Sequence, residues 1–365
     1  MRVCFLADAG SVNTQTWVEH FAEVMGHDVH VVSVKRPGSL SKAVTVHVIG
    51  KDDGTGTKTL GGKLLLLRSL APMRRIVREI DPDIVVGYRV ASYGYLGARI
   101  GVHPLAVAAQ GQILFSPSMR FPMQHFAATA LRHADVVNSW APHMTDCLVR
   151  HGARPKTILT LPRGIDLEAF RPRGDGADRE PAAVVTRGLH RTYSIDIAVR
   201  AIAQVALERD GFTGSIAGKG LAEAELRDLA KRLPGGEAVR FLSEVPNGDL
   251  PSLLAGSAVY LSTVPRDGVS ASLLEGMACG AFPIVRDNTA NRLWIEDGVN
   301  GFLVGRDEPE DYARAITRAL DDDELRRSAA AANRKIVEER ADIMKNMKTI
   351  EARYTELVRK AGGPV

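Results

Sequence analysis

The stretch Asp267-Gly268-Val269-Ser270-Ala271-Ser272-Leu273-Leu274-Glu275 holds the residue types best suited to gripping a polar ligand. It follows the apolar run AVYLSTV, which reads as a strand, and it opens a segment with helical spacing. Gly268 and the residues after it bare backbone N–H groups at a helix start, where oxygen-rich, partly negative ligands are favoured. Asp267 can accept hydrogen bonds from sugar hydroxyls. Glu275, eight residues on and placed in the first helical turn, can accept from both hydroxyls of a ribose. An architectural reading stands beside this one: Ser272 and Glu275 form an S-x-x-E capping box that needs no ligand.

Three further loops follow apolar runs. Thr186-Arg187-Gly188-Leu189-His190-Arg191-Thr192-Tyr193 follows AAVV, and its Arg187, His190 and Arg191 suit a diphosphate clamp, since a guanidinium donates two bonds from one plane. The same letters also fit a solvated basic loop. Asp8-Ala9-Gly10-Ser11-Val12-Asn13 follows the first strand and fits the turn of any strand-to-helix unit, with Asn13 or Thr14 as helix cap. Ala109-Gln110-Gly111 follows PLAVA; Gln110 is a neutral amide that cannot act as a base, and a buried glutamine satisfied by backbone is the alternative. Asp81-Pro82-Asp83 has D-x-D spacing but sits between a helix and a strand, where it reads as punctuation and not as a metal site. Asp321-Asp322-Asp323-Glu324 reads as a helix-start charge cluster. Gly218-Lys219-Gly220 is a G-x-G turn after a strand, a pattern that is common and nonspecific. No G-x-x-x-x-G-K-[ST] loop and no paired-histidine metal spacing occurs.

The run D-G-V-S-A-S-L-L-E-G-M-A-C-G-A-F-P resembles the donor-binding signature of the retaining family 4 glycosyltransferases, with Asp267 where that signature usually has Glu. Asp-Gly, S-L-L-E and the later Asn291-Arg292-Leu293-Trp294-Ile295 are similar to a surface-polysaccharide subgroup of that family. The resemblance implies a GT-B fold, two Rossmann-like doubly wound domains facing across a cleft, and sugar transfer from a nucleoside-diphosphate sugar with retention and without metal or other cofactor. It implies catalytic roles for Arg187, Asp267 and Gln110. Donor contacts would come from Gly10, Ser11, Arg187, His190, Arg191, Asp267, Gly268, Val269, Ser270, Leu274 and Glu275. The family pattern is incomplete here. The Lys expected some five residues after Arg187 is missing, its place falling at Thr192 or Tyr193, with Arg191 the substitute charge. The paired glycines of the first loop are reduced to Gly10, and Gln110 replaces a common His.

These loops need strands to carry them. RVCFLAD, DVHVVSV, TVHVIG, IVVGY, PLAVAAQ, ADVVNS and KTILTLP are short apolar runs separated by helical patterns, which predicts a parallel sheet with helices on both faces. A second series begins with AAVVTRG and continues through FTGSIAG, AVRFLSEV, AVYLSTV, FPIVRD and NGFLVG, closed by two long helices. Loops at the carboxyl ends of such strands are where ligands bind. The Gly-, Pro- and charge-rich RPRGDGADREP marks a boundary, giving domains over 1–172 and 173–340, with 341–365 as a helix packing back on the first.

At 365 residues with 45% hydrophobic and 25% charged, the composition is that of a soluble two-domain protein. No run approaches the roughly 18–20 apolar residues of a membrane span. Three scattered cysteines suit a reducing cytoplasm. Residues 1–170 carry 19 Lys+Arg against 13 Asp+Glu, and the segment from Lys63 to Arg78 mixes leucines with arginines. That segment is either a basic membrane-facing patch at the inner face of the membrane or an ordinary helix with its leucines in the core. The expected partners are the nucleotide sugar and a glycan, lipid-linked or small-molecule acceptor, with peripheral membrane contact and no nucleic acid. Three rivals remain. An epimerase or phosphorylase shares the architecture, and a non-catalytic sugar-nucleotide binder fits the replaced Lys and His. An NAD-dependent oxidoreductase is opposed by the missing G-x-G-x-x-G after the first strand.

Overall fold

The computed structural model describes residues 1–37, 40–49, 67–110, 121–173 and 179–363. They form two units. One comprises Met1–Arg163 and Lys345–Val365, the other Gly164–Met344.

The first unit is built on seven strands, β1 (Arg2–Leu6), β2 (Asp28–Ser33), β3 (Val44–Val48), β4 (Ile84–Tyr88), β5 (Leu105–Ala109), β6 (Val136–Ser139) and β7 (Ile158–Thr160), in the order β3-β2-β1-β4-β5-β6-β7. Every pairing is parallel. Helices on both faces explain why the central strands are apolar end to end: Val3 to Leu6, Ile84 to Val86 and Leu105 to Ala109 are all wholly buried. The helix Leu70–Ile80 buries Met73, Val77 and Ile80 and exposes Arg75 and Arg78, so its apolar stripe faces the core. Positions 63–66 of the leucine–arginine segment lie outside the described residues.

The second unit holds β8 (Glu180–Thr186), β9 (Thr213–Ala217), β10 (Val239–Ser243), β11 (Ser257–Ser262), β12 (Phe282–Arg286) and β13 (Phe302–Val304), again all parallel, in the order β10-β9-β8-β11-β12-β13. The chain runs outward from β8 to β10, then returns to the far side of β8 to place β11. The strand order therefore reverses between β8 and β11, the place where doubly wound sheets open a ligand crevice.

The chain closes with three helices, Pro309–Asp321, Asp323–Arg340 and Ile343–Lys360, where periodicity predicts two. The added break has a backbone cause. Ile165 N–H donates to Ala341 O at 2.7 Å, and Ile343 N–H donates to Ile165 O at 3.1 Å. This strand-like exchange draws 341–343 out of helical pairing. It also ties residues 164–170 to the second unit, as does Arg334, which donates to Leu167 O and Phe170 O. The divisions therefore fall at 163/164 and 344/345, where composition suggests 172/173 and 340/341; linker positions 174–178 lie outside the described residues. The final helix packs within the first unit. Tyr354 stacks on Phe21 and donates to buried Asn138 Oδ1 at 2.6 Å, and Glu351 meets His27 at 2.8 Å. Among the described residues no helix is long and apolar enough to cross a membrane.

Candidate active site

Arg187 leaves the end of β8, and the Asp267–Ser270 loop lies beyond the end of β11. These strands are hydrogen-bonded neighbours on either side of the strand-order reversal. Residues 80 apart in the chain therefore meet: Arg187 Nη2 donates to Asp267 Oδ2 at 2.5 Å. Their side chains are 18% and 11% exposed, so the pair is largely but not wholly removed from solvent. Arg187 Nη1 also lies 3.5 Å from Ser270 Oγ, and its guanidinium carbon stands 4.7 Å from the Tyr193 ring centroid. Burial lowers the Arg187 pKa, but the Asp267 carboxylate, with Tyr260 and Tyr193, more than offsets it and drives the pKa above its ordinary value. Arg187 is thus a permanent cation in a half-buried setting.

The helix that bears Glu275 spans Ala271–Cys279, with Ser270 as its N-cap: Ser270 Oγ accepts from Leu273 N–H at 3.2 Å. This corrects the capping-box reading. Ser272 lies inside the helix, where it accepts from buried Tyr260 Oη at 2.9 Å. Because the helix starts at Ala271, Glu275 occupies its second turn and not its first. The first-turn amides of Ala271 and Ser272 precede any intrahelical acceptor. Asp267 Oδ1 accepts from Gly268 N–H at 2.8 Å, which fixes the carboxylate from its other side. Glu275 is half-buried. Its carboxylate adds to the larger effect of burial in pushing the Cys279 thiol up to about 12, so Cys279 stays protonated.

The other expected donor residues divide. His190 meets the Tyr193 ring edge-on, with centroids 5.8 Å apart, and so belongs to the same cluster. Arg191 does not: its side chain is 83% exposed and pairs with Glu225 at 2.9 Å, on the helix Glu223–Arg232. Arg191 thus points away from the Arg187–Asp267 cluster, and Tyr193 lies against Arg187. Gly268 and Val269 are buried in the loop. Leu274 is 1% exposed and its N–H donates to Ser270 O, which gives it a packing role. Gly218-Lys219-Gly220, dismissed on sequence as a common turn, locks the arginine loop. Arg187 N–H donates to Ala217 O and Leu189 N–H to Lys219 O. A Cβ at Gly218, where φ is +154°, would stand 2.0 Å from Arg187 O, and one at Gly220 2.0 Å from Leu189 O. A G-x-G directly after a strand was the available signal. Asn291-Arg292-Leu293-Trp294 is architectural: Asn291 Nδ2 bonds Arg286 O, Arg292 pairs with Asp287, and Arg340 covers Trp294.

Gly10, Ser11 and Gln110 belong to the first unit, at the carboxyl ends of β1 and β5. Gly10 N–H donates to Asp8 Oδ1 at 3.1 Å, and Ser11 is the N-cap of Val12–Glu19 with no side-chain cap bond. Gln110 Nε2 is buried without a hydrogen-bond partner among the described residues, and Gly111 lies outside them. Asp81 and Asp83 are punctuation: Asp81 ends a helix with φ +50°, and Asp83 accepts from Arg2 N–H at 2.6 Å. Asp322 likewise caps a helix, accepting from Leu325 N–H at 2.8 Å. Among the described residues no group of three His, Cys, Asp or Glu converges as metal ligands do.

Residues 168–336 match the family model of glycosyl transferases group 1, and residues 2–139 match that of glycosyl transferase 4-like proteins. A D-inositol 3-phosphate glycosyltransferase of Streptomyces griseus is 31% identical over 222 residues, covering 51% of this chain and 47% of that protein. A second D-inositol 3-phosphate glycosyltransferase, from Catenulispora acidiphila, is 33% identical over 195 residues, covering 48% and 45%. The chain thus spans about half the length of these curated relatives. Among solved structures, Anabaena HepE in complex with UDP-glucose aligns over 98% of this chain and all of its own, with a TM-score of 0.80 at 19% identity. Sucrose-phosphate synthase from Thermosynechococcus elongatus aligns over 99% and 100%, with a TM-score of 0.85 at 16% identity. At such identities the likeness establishes the GT-B fold.

Proposed function

We propose that the chain, whose residues 168–336 match the group 1 glycosyl transferases and residues 2–139 the glycosyl transferase 4-like proteins, is a glycosyltransferase that moves a sugar from a nucleoside-diphosphate sugar to an acceptor hydroxyl, with retention and without a metal ion. One observation carries this reading: the meeting of Arg187 with the Asp267–Ser270 helix start at the strand-order reversal. A half-buried cation beside bare helix amides suits the diphosphate, and carboxylates flanking that helix start suit the hydroxyls of the sugar and ribose.

In this mechanism the bond from the anomeric carbon to the outer phosphate oxygen breaks, and negative charge grows on the departing diphosphate. Arg187 and the first-turn amides near Ser270 stabilise that charge, the work a metal does elsewhere. The acceptor oxygen bonds to the anomeric carbon from the face the diphosphate leaves. Its proton passes to the departing phosphate, because Gln110 is an amide and cannot take it. Asp267 orients Arg187 and holds donor hydroxyls; Glu275 holds the ribose. His190 stands beside Tyr193 as a further donor contact.

HepE, with UDP-glucose in its structure, makes UDP-glucose the first donor to try, and the names of the curated relatives make a phosphorylated cyclitol the first small acceptor. Glycan and lipid-linked acceptors belong to the same proposal, as do a cytoplasmic location and contact with the inner membrane face. The buried stripe of Leu70–Ile80 favours its reading as an ordinary helix. Flotation with anionic liposomes tests the membrane contact, and co-sedimentation only at low salt would limit it to electrostatics.

The test of function is a thermal-shift screen of UDP, GDP and ADP and their sugars, with magnesium or EDTA. A ligand at a hundred times its Kd stabilises the native state by about 2.7 kcal/mol. Stabilisation by one nucleotide in EDTA, with sugar transfer that Arg187→Ala lowers by orders of magnitude, is the expected outcome. Stabilisation only with magnesium overturns metal independence; none with any nucleotide overturns the whole reading.

A further inference from the structure

We infer that Tyr193 is a positioning residue for Arg187, an aromatic roof in the Thr192–Tyr193 stretch where the family motif has a second cation; this rests on the proposed donor site. The Arg187 guanidinium is held on three sides. Nη2 goes to Asp267 at 2.5 Å, Nη1 faces Ser270 Oγ at 3.5 Å, and the guanidinium carbon stands over the Tyr193 ring, 4.7 Å from its centroid. The first two contacts are both made from the Nη1/Nη2 end of the fork. The ring adds a third restraint, since a cation over an aromatic face is attracted by the ring quadrupole.

The roof is itself anchored. Thr263, fully buried just past β11, donates from Oγ1 towards Tyr193 O at 3.2 Å and Ser194 O at 2.7 Å. Ser194 has φ +52°, a left-handed conformation uncommon for a residue other than glycine, and Thr263 holds that turn in place. The turn presents the Tyr193 ring to Arg187 on one side and to His190 on another. A lysine in this position would repel Arg187 and compete for Asp267. An aromatic ring instead fixes the one cation without altering the charge of the pocket, and leaves the remaining N–H groups of the fork for phosphate oxygens.

The experiment measures the affinity of the full chain for UDP, GDP and ADP by calorimetry, in the parent, Tyr193→Phe and Tyr193→Leu, each repeated with Arg187→Gln. Tyr193→Leu is expected to weaken the bound nucleotide roughly tenfold, with Tyr193→Phe within about twofold of the parent because the ring is kept. In the Arg187→Gln background, Tyr193→Leu should then change affinity by less than about twofold, since its effect acts through the guanidinium. Tyr193→Met, which fills the volume without a ring, should behave as Tyr193→Leu and replaces it should that variant unfold. Parent-like affinity in Tyr193→Leu and Tyr193→Met, an equal loss in Tyr193→Phe, or a loss undiminished by Arg187→Gln each overturns the inference and leaves the donor site standing. A parent chain that binds none of the three nucleotides overturns both.

Discussion

Removing Arg187 should unfold the second unit more easily, and removing its partner as well should restore most of the loss. Arg187 and Asp267 are 18% and 11% exposed and 2.5 Å apart. Arg187→Leu strips a cationic partner from a carboxylate that one backbone N–H, from Gly268, also holds. Breaking a buried pair from one side costs about 3–5 kcal/mol, and the residual exposure here places the loss near about 3 kcal/mol. For a unit of this size that lowers the unfolding midpoint by about 6–12 °C. In Arg187→Leu/Asp267→Asn the orphaned charge is gone, while the amide oxygen can still accept from Gly268. That double variant should recover to within about 1 kcal/mol of the parent, since replacing a buried pair by neutral groups is often close to neutral. Differential scanning calorimetry of the parent, both single variants and the double variant reads these numbers, and the coupling follows from the cycle. A drop below about 1 kcal/mol in Arg187→Leu would place the pair among exposed ion pairs. Equal losses in the single and double variants would show that packing, not charge, is what Arg187 supplies. Nucleotide affinity should be weakened, not abolished, in both, which separates the stabilising role of the pair from its role in binding.

Glu275→Gln should weaken nucleotide affinity about tenfold to a hundredfold by calorimetry, the worth of about 1.5–3 kcal/mol for hydrogen bonds to a charged group, with little change in melting. Gly218→Ala should displace the Arg187 loop, because its Cβ would stand 2.0 Å from Arg187 O; loss of nucleotide binding together with a lower melting temperature is the expected result, and an unchanged melting curve would mean that the two loops are not interlocked. Stability of the first unit should fall with acidification from about pH 7 towards pH 5. Burial, then the Met1 amine, lowers the His27 pKa below its ordinary value despite Glu351, and burial with His30 lowers that of His47. Both then bind protons more readily unfolded than folded, so their contribution is complete above the unfolded value of 6.5 and is lost as pH falls below it. Denaturation midpoints across that range check the direction, and His47→Gln should flatten part of the slope.

Much was legible in the sequence because the decisive signals are local. A strand covered on both faces must be apolar along its length, so the thirteen short runs of Val, Ile, Leu and Ala announced β1 to β13 and the two-sheet plan. The loops after β8 and β11 could be picked out as candidate ligand loops from Arg187 and from Asp267 to Glu275, whose types suit anions and hydroxyls. What no local pattern contains is which loop faces which. Arg187 finds Asp267 only because the strand order reverses between β8 and β11, which sets neighbouring strand ends beside each other. The same tertiary placement turned Arg191 out to Glu225, put Tyr193 over Arg187, and made Ser270 and not Ser272 the cap. It also broke the final helix, through bonds between Ile165 and residues 341–343 that lie far apart in the chain. Composition and periodicity fix what each segment must bury; only the packed sheet decides which polar atoms are left to meet.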